Sequence, residues 1–146
     1  IRFDFIFRPL LNDTNFQADF GWLNNINVNS PNQGLTVTAH GGWITVRGYT
    51  GTTTPNYHSV SNSYSTNTWY RGSIEIGPDG SRDAIVKVVE SDTGTSVLDT
   101  TFSSSSFPAR TVAVGNDVRV FLYASTGTTN IGDFDYLGIL LPTQRR

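Results

Sequence analysis

Hydrophobic and polar residues alternate with a period of two along much of this chain. In the segment 1–8, positions 1, 3, 5 and 7 are isoleucine or phenylalanine, whereas positions 2, 4 and 8 are charged. This alternation is typical of a strand with one buried face. The same reasoning predicts further short strands at 34–40, 43–49, 69–76, 84–90, 96–102, 111–114, 118–124 and 134–141.

Turn-forming residues separate these segments, and no stretch shows a convincing period of 3.6 residues. Many short strands at near-regular spacing favour an all-β fold, and we expect an antiparallel β-sandwich of the jelly-roll type. The clearest hairpin joins 84–90 to 96–102 through the turn 91–95. Because no change of composition marks an internal boundary, we expect a single domain over residues 1–146.

The composition narrows the partners that such a domain can have. Charged residues make up 15% of the chain, against about 25% in a typical soluble domain, and the net charge is -2. Lys87 is the only lysine, so the sequence offers no basic stripe to a nucleic acid backbone. No apolar run approaches the roughly 18 residues of a membrane-spanning helix. We therefore expect neither nucleic acid nor a membrane as a partner.

Two absences bear on the origin of the chain. The first residue is Ile1 and the sequence contains no methionine, which indicates a processed product or a part of a longer protein. What precedes Ile1 is left open. Cysteine is also absent, which excludes disulfides and thiolate metal sites but does not indicate a redox compartment.

Catalysis requires groups that converge, and the sequence supplies few of them. No Gly-x-Ser-x-Gly motif accompanies the two histidines, and His40 ends a predicted strand, where we expect it at the surface. Asp133 and Asp135 are two residues apart, so on a strand both would project from one face. A glycosidase needs its two carboxylates across a cleft. We therefore predict that the protein is not an enzyme, and we assign no catalytic residue.

The turn 78–83 contains the weak candidates for a metal site. The carboxylates of Asp79 and Asp83, with nearby hydroxyl and carbonyl oxygens, have the chemistry that calcium prefers. Their spacing departs from the EF-hand pattern, and Pro-Asp-Gly is more typical of a plain turn. No histidine spacing matches a zinc site. We expect no cofactor, with calcium left open.

A sugar-binding site needs exposed aromatic rings among amides and hydroxyls. The segment 43–64 supplies these best, and the residues that we assign to a ligand site are Trp43, Tyr49, Tyr57, His58 and Tyr64. Alternation places Trp43 on the outer face with Thr45 and Arg47, and Ile44 and Val46 in the core. Trp22 and Trp69 lie in hydrophobic strand patterns, so we expect them to be buried. The alternative is that the aromatic residues of 43–64 pack a loop or a subunit contact.

Several short motifs follow one another in an order found in a family of virion proteins. They are Trp-Tyr-Arg at 69–71, Pro-Asp-Gly at 78–80, Val-Leu-Asp-Thr-Thr at 97–101, Phe-Pro at 107–108, arginine at 110, Val-Phe-Leu-Tyr-Ala-Ser-Thr-Gly-Thr-Thr at 120–129 and Phe-Asp-Tyr-Leu at 134–137. Upstream, Phe-Gly-Trp-Leu at 20–23, Gly-Leu-Thr-Val at 34–37 and Gly-Trp at 42–43 keep the same order. Over about residues 16–141 the chain resembles tailed-bacteriophage surface and fibre-head domains of the concanavalin A and laminin G jelly-roll type. The first strand and the tail 142–146 depart from that pattern.

Such domains form the heads or surface domains of phage fibres, spikes and capsid-attached proteins. The resemblance therefore implies a non-enzymatic domain on the virion surface, outside the cell, that recognises a host-surface glycan or another virion protein. It also implies structural or interfacial roles for Asp133 and Asp135 in the strand that closes the sheet. The alternatives are a carbohydrate-binding module attached to a polysaccharide-degrading enzyme, and a lyase or glycosidase on the same scaffold.

Fibre heads of the resembled class are often homotrimers, and the apolar ends of this chain are consistent with self-association. The segments 1–7 and 137–141 would leave Ile6 and alternate apolar residues exposed on a monomer. Exposed apolar rows at sheet edges favour pairing with another chain. We therefore expect a homotrimer. The alternative is that these two segments pair with each other within one subunit.

Overall fold

The computed structural model describes residues 2–12, 14, 16–23, 33–50, 61–76, 83–102, 117–124 and 132–140, and these residues form ten strands. The strands are β1 (Arg2–Pro9), β2 (Phe16–Leu23), β3 (Gln33–His40), β4 (Trp43–Thr50), β5 (Ser61–Ser63), β6 (Tyr70–Ile76), β7 (Ala84–Glu90), β8 (Ser96–Phe102), β9 (Asp117–Ala124) and β10 (Gly132–Leu140). The described ranges include no helix with the length and hydrophobicity needed to span a bilayer.

The ten strands form two five-stranded sheets. The first sheet has the order β10-β1-β6-β7-β8, and the second has the order β5-β4-β3-β2-β9. Every neighbouring pair of strands is antiparallel. The prediction of an all-β antiparallel sandwich is therefore confirmed.

Phenylalanine side chains dominate the interior between the sheets. The three phenylalanines of β1 are at most 1% exposed, as the period-two pattern predicts. The ring of Phe5 stacks on that of Phe20 from the other sheet, with centroids 4.4 Å apart and planes 6° from parallel. Full burial of one such side chain stabilises a fold by about 1.5–3 kcal/mol. The rest of the core comes from alternate residues of β2, β3, β4, β6, β7 and β8, and from Tyr64 after β5.

The predicted hairpin at 84–102 is confirmed. Strands β7 and β8 pair through Ala84 opposite Phe102, with a register shift between Val88 and Val89. The amide of Glu90 donates to the carbonyl of Thr95 at 2.9 Å, which closes the turn. The inward residues of β7 are fully buried, whereas the outward ones, such as the half-exposed Ile85, face water.

Most strand predictions agree with the structure to within two residues, and the differences are local. Strands β2 and β5 were not among the predicted segments, and the predicted strand at 111–114 lies outside the described residues. The two ends of the chain pair with each other within one subunit, because β1 runs antiparallel to β10. The two segments therefore pair as the alternative stated. The homotrimer stays a prediction, because β10 is an edge strand among the described strands and its outer edge is open to a second copy.

Strand β10 contains a bulge that changes which side chains share a face. Phe134 lies opposite Phe7 and Tyr136 lies opposite Ile6, so Asp135 is an extra residue without an opposite partner in this pairing. Phe134 and Tyr136 are two residues apart, yet they lie on opposite faces of the sheet, because Phe7 points inward and Ile6 points outward. The expectation that Asp133 and Asp135 share a face stays a prediction.

Candidate functional site

A two-residue hairpin turn builds the candidate site. Gly41 and Gly42 connect β3 to β4 with φ values of 56° and 83°. A type I′ hairpin turn requires positive φ at both central residues, which glycine adopts without steric cost. The turn places His40 directly opposite Trp43, on the outer face of the second sheet.

Alternation along β4 then separates the core from the surface. Ile44 and Val46 are 0% exposed, whereas Trp43 is 53% exposed. This confirms the predicted orientation of the strand. His40, Trp43, Thr45 and Arg47 line a shallow pocket of about 300 Å³, which we call the Trp43 pocket. It combines an aromatic ring, a hydroxyl and two nitrogen donors on one surface.

Buried polar side chains lie next to the Trp43 pocket on the same face of the sheet. In the strand register Thr38 is opposite both Thr45 and Asp19, and Asp19 and Thr38 are at most 6% exposed. The hydroxyl of Thr38 donates to one carboxylate oxygen of Asp19. The amide of Gln17 donates to the other at 2.6 Å. The hydrogen bond from Thr38 ties β3 to β2 beside the pocket, and the one from Gln17 fixes Asp19 within β2.

The environment of Asp19 favours its neutral form. Burial raises the pKa of this carboxyl above its ordinary value of 3.8, because the charged form loses its hydration. The hydrogen bonds from Thr38 and Gln17, and the positive charge of Arg47, oppose part of that rise. Both carboxylate oxygens are engaged below the surface, so Asp19 acts as an internal anchor for Thr38. Sequence analysis missed this residue, although the alternation in Phe-Gln-Ala-Asp-Phe placed it on the outer face of a strand.

The other predicted ligand residues divide into two groups. Tyr64 is 7% exposed, its hydroxyl donates to the carbonyl of Leu11 at 2.7 Å, and its amide donates to the carbonyl of Gly42 at 2.9 Å. The expectation of an exposed ring at Tyr64 is therefore wrong, because this residue holds the hairpin turn from inside. Tyr49 lies in β4, and its side chain, together with Tyr57 and His58, lies outside the described residues.

An arginine connects Trp69 to the first of the two C-terminal aspartates. The guanidinium of Arg8 lies 4.9 Å from the ring centroid of Trp69, which is half-buried rather than fully buried as expected. Arg8 also donates to Asp133, from Nε at 2.9 Å and from Nη2. Asp133 thus has a structural partner on the neighbouring strand. Trp22 lies in β2, with its side chain outside the described residues.

Of the two candidate calcium ligands, Asp79 and Asp83, the structure describes one. Asp83 is exposed just before β7, and Asp79 lies outside the described part of the chain. Over the ranges that the structure describes, no three His, Cys, Asp or Glu side chains are grouped so that they could hold a metal ion.

Comparison with known proteins supports the fold. No protein-family model matches the chain, and neither does any curated protein. Among solved structures, the chain is similar to the crystal structure of a protein of unknown function from Shewanella oneidensis MR-1, with a TM-score of 0.64 and 16% sequence identity. The likeness covers 90% of this chain and 52% of that protein, so the chain spans about half the length of its structural neighbour. At this identity the likeness shows a common fold alone.

Proposed function

We propose that this β-sandwich is a non-catalytic binding domain of a tailed-phage virion surface protein. In this proposal the domain recognises a host-surface glycan or another virion protein through the Trp43 pocket. The observation that carries the binding role is the half-exposed Trp43, held beside His40 and Arg47. The sequence resemblance over about residues 16–141 supports the virion surface as its location.

The chemistry of the Trp43 pocket suits a sugar ring. An indole face stacks on the apolar side of a pyranose, while neighbouring hydroxyl and nitrogen donors bind the ring hydroxyls. Thr45 and Arg47 alternate with buried residues on the same strand as Trp43, so β4 fixes all three side chains on one surface. Aromatic and arginine side chains are also the commonest energetic anchors of protein interfaces. The same pocket therefore suits a partner protein.

Preorganisation supports the same role. The hydrogen bond from Thr38 to Asp19 joins β3 to β2, and the Gly41–Gly42 turn joins β3 to β4. A site on strands that are already fixed loses little conformational entropy when it binds. We expect the free and bound forms of the Trp43 pocket to have the same backbone.

The test is binding of the Trp43→Ala variant to host cells and to a glycan array. We expect a loss of affinity of more than about tenfold, as is usual for a central aromatic anchor. Ile85→Ala is the matched control, because Ile85 is an apolar residue 40% exposed on the other sheet. Unchanged affinity in a folded Trp43→Ala variant would eliminate this surface.

Such a domain could belong to a virion structural protein or to a polysaccharide-degrading enzyme, and identification of the protein that carries it distinguishes the two. Mass spectrometry of purified virions is expected to find this sequence in a structural protein. If the sequence is instead joined to a polysaccharide-degrading domain and absent from virions, the chain is a carbohydrate-binding module and the virion assignment fails.

We include self-association as a homotrimer in the proposal. Phe134, Leu137 and Ile139 of β10 lie opposite the buried phenylalanines of β1, and we call them the β10 inner row. They are 37%, 50% and 47% exposed. Within the described residues β10 is an edge strand of the first sheet. An apolar edge of this kind favours contact with another copy of the chain.

A further inference from the structure

A second groove crosses the outer face of the first sheet, away from the Trp43 pocket. It has a volume of about 360 Å³. The residues that matter for its chemistry are Arg2, Asp4, Arg71, Ser73, Lys87 and Tyr136. Small-ligand pockets typically have volumes of about 300–1,000 Å³, so this groove suits a ligand the size of a sugar ring or two. We call it the first-sheet groove.

The strand register explains how the groove forms. Ile6 lies opposite Tyr136 on one side and Arg71 on the other, which makes one cross-strand row of large side chains. In the adjacent row, Asp4 lies opposite Gly138 and Ser73. Residues directly opposite in antiparallel strands share a face of the sheet. The row of Asp4 has smaller side chains than the row of Ile6, and this difference leaves a depression in the surface of the sheet.

Gly138 has a specific part in this arrangement. The hydroxyl end of Tyr136 lies where a Cβ at position 138 would be, so the tyrosine ring extends over the glycine. Tyr136 is nevertheless 52% exposed. Tyr136 thus presents an aromatic surface at the edge of the groove, in a position that depends on the missing side chain of Gly138.

Positive charge is concentrated in the groove of a protein whose net charge is -2. Three cationic side chains and one carboxylate line it. The carboxylate is that of Asp4, whose Oδ1 lies 2.8 Å from Nε of Arg2. Nζ of Lys87 lies 3.3 Å from Oδ2 of Asp99, a residue that does not line the groove. Among the described residues, no carboxylate forms an ion pair with Arg71.

We propose that the first-sheet groove binds the carboxylated ring of an acidic polysaccharide, such as a uronic or sialic acid residue. Tyr136 stacks on the apolar face of the sugar ring. The guanidinium of Arg71 binds the carboxylate through two parallel hydrogen bonds, a geometry that lysine does not provide. Lys87 adds positive charge, and the hydroxyl of Ser73 binds a ring hydroxyl.

Each part of this assignment has a reason in the structure. Arg71 is the cation whose bidentate face is not already engaged by a carboxylate of the described chain. The exposed Lys87–Asp99 pair is weak, because water screens both groups, so Lys87 can exchange partners at little cost. This site is independent of the Trp43 pocket, which lies on the other sheet.

The test is an array of acidic oligosaccharides that carry uronic or sialic acid, each printed beside its methyl-esterified counterpart. We expect the protein to bind at least one acidic member about tenfold or more tightly than its ester, and to lose that preference as salt rises from about 50 to about 500 mM. The proposal would be overturned if the protein bound no acidic oligosaccharide more tightly than its methyl ester.

Variants then locate the binding. Arg71→Gln and Tyr136→Ala are each expected to weaken binding to the acidic oligosaccharide by about tenfold. Arg71→Lys keeps the positive charge but loses the bidentate geometry, and it should weaken binding nearly as much as Arg71→Gln. If Arg71→Lys binds like the unmodified protein, only charge matters and the bidentate contact is contradicted.

Gly138→Ala provides a subtler variant. It keeps every functional group of the groove but forces Tyr136 away from its position over residue 138. We expect a several-fold loss of affinity with unchanged salt dependence. If Gly138→Ala binds like the unmodified protein while Tyr136→Ala does not, the proposed ring position is wrong. The Trp43→Ala result bears on the other site alone, so the two proposals fail separately.

Discussion

The ring of Phe5 occupies the space into which a side chain at position 72 would project, because Gly72 lies directly opposite Phe5 in the pairing of β1 with β6. Phe5 is 1% exposed and stacks on Phe20 of the second sheet. The glycine therefore makes room for an aromatic contact that joins the two sheets. It has no requirement for positive φ, so its role is steric.

Gly72→Ala should destabilise the fold by about 1–3 kcal/mol, the usual range when extra volume is forced into a packed core. The added methyl group must displace the Phe5 ring, and the stacking on Phe20 is lost with it. Urea unfolding measures the change. Ser73→Ala, one residue along the same strand on the outer face, should change stability by less than about 0.5 kcal/mol. Equal stability of the two variants would contradict the steric role of Gly72.

How far the sequence predicts this core depends on how regular each strand is. In β1 every second residue is large and apolar, so both the strand and its buried face follow from the pattern alone. Strand β2 keeps the same period, but its outward positions include Asp19 and Gly21, residues that are uncommon in strands. Strand β5 has three residues and no apolar signal. Its pairing with β4 depends on tertiary contacts that no local pattern contains.

Asp19→Asn should become more stable relative to the unmodified protein as pH rises. Burial raises the pKa of Asp19 in the folded protein above the ordinary 3.8. The contribution of Asp19 to the free energy of unfolding is therefore complete below the ordinary pKa, and it is lost as pH rises through the folded pKa. Because one proton is involved, the difference in free energy of unfolding between Asp19→Asn and the unmodified protein changes by at most about 1.4 kcal/mol per pH unit.

Urea unfolding of both proteins between about pH 3.5 and 7 measures this difference. Asp92→Asn, in the exposed turn after β7, controls for the change of net charge. A stability difference between Asp19→Asn and the unmodified protein that stays constant over this range would refute the raised pKa.

The candidate site shows the limits of sequence analysis in a different way. The outward direction of Trp43 follows from alternation, and the Gly41–Gly42 turn is a recognisable hairpin signal. The burial of Tyr64 was not predictable, because its hydroxyl binds the carbonyl of Leu11, which is 53 residues away in sequence. The bulge at Asp135 was likewise invisible, since it depends on the register between the two ends of the chain.

Purified protein should release no reducing sugar from any polysaccharide that it binds. A glycosidase needs two carboxylates across a cleft, and Asp133 is already held by hydrogen bonds from Arg8 on the neighbouring strand. A reducing-end assay with overnight incubation is the measurement. Asp133→Asn and Asp135→Asn serve as the decisive variants, because activity that either one abolishes would contradict a non-catalytic role.

The protein should self-associate through the β10 inner row. At tens of micromolar, light scattering should give three times the 16.0 kDa mass of the chain, because three exposed apolar side chains on an edge strand favour burial against another copy. Ile139→Lys should shift the mass to that of the monomer, since a charge on an edge strand opposes pairing.

Ile85→Lys is the matched control, because Ile85 is also about half exposed, on a strand that lies inside the first sheet. It introduces the same charge and should leave the trimer intact. A monomer mass for the unmodified protein at these concentrations would count decisively against the trimer. A dimer mass that Ile139→Lys still abolishes would retain β10 as the contact surface but replace the threefold arrangement with an isologous pair.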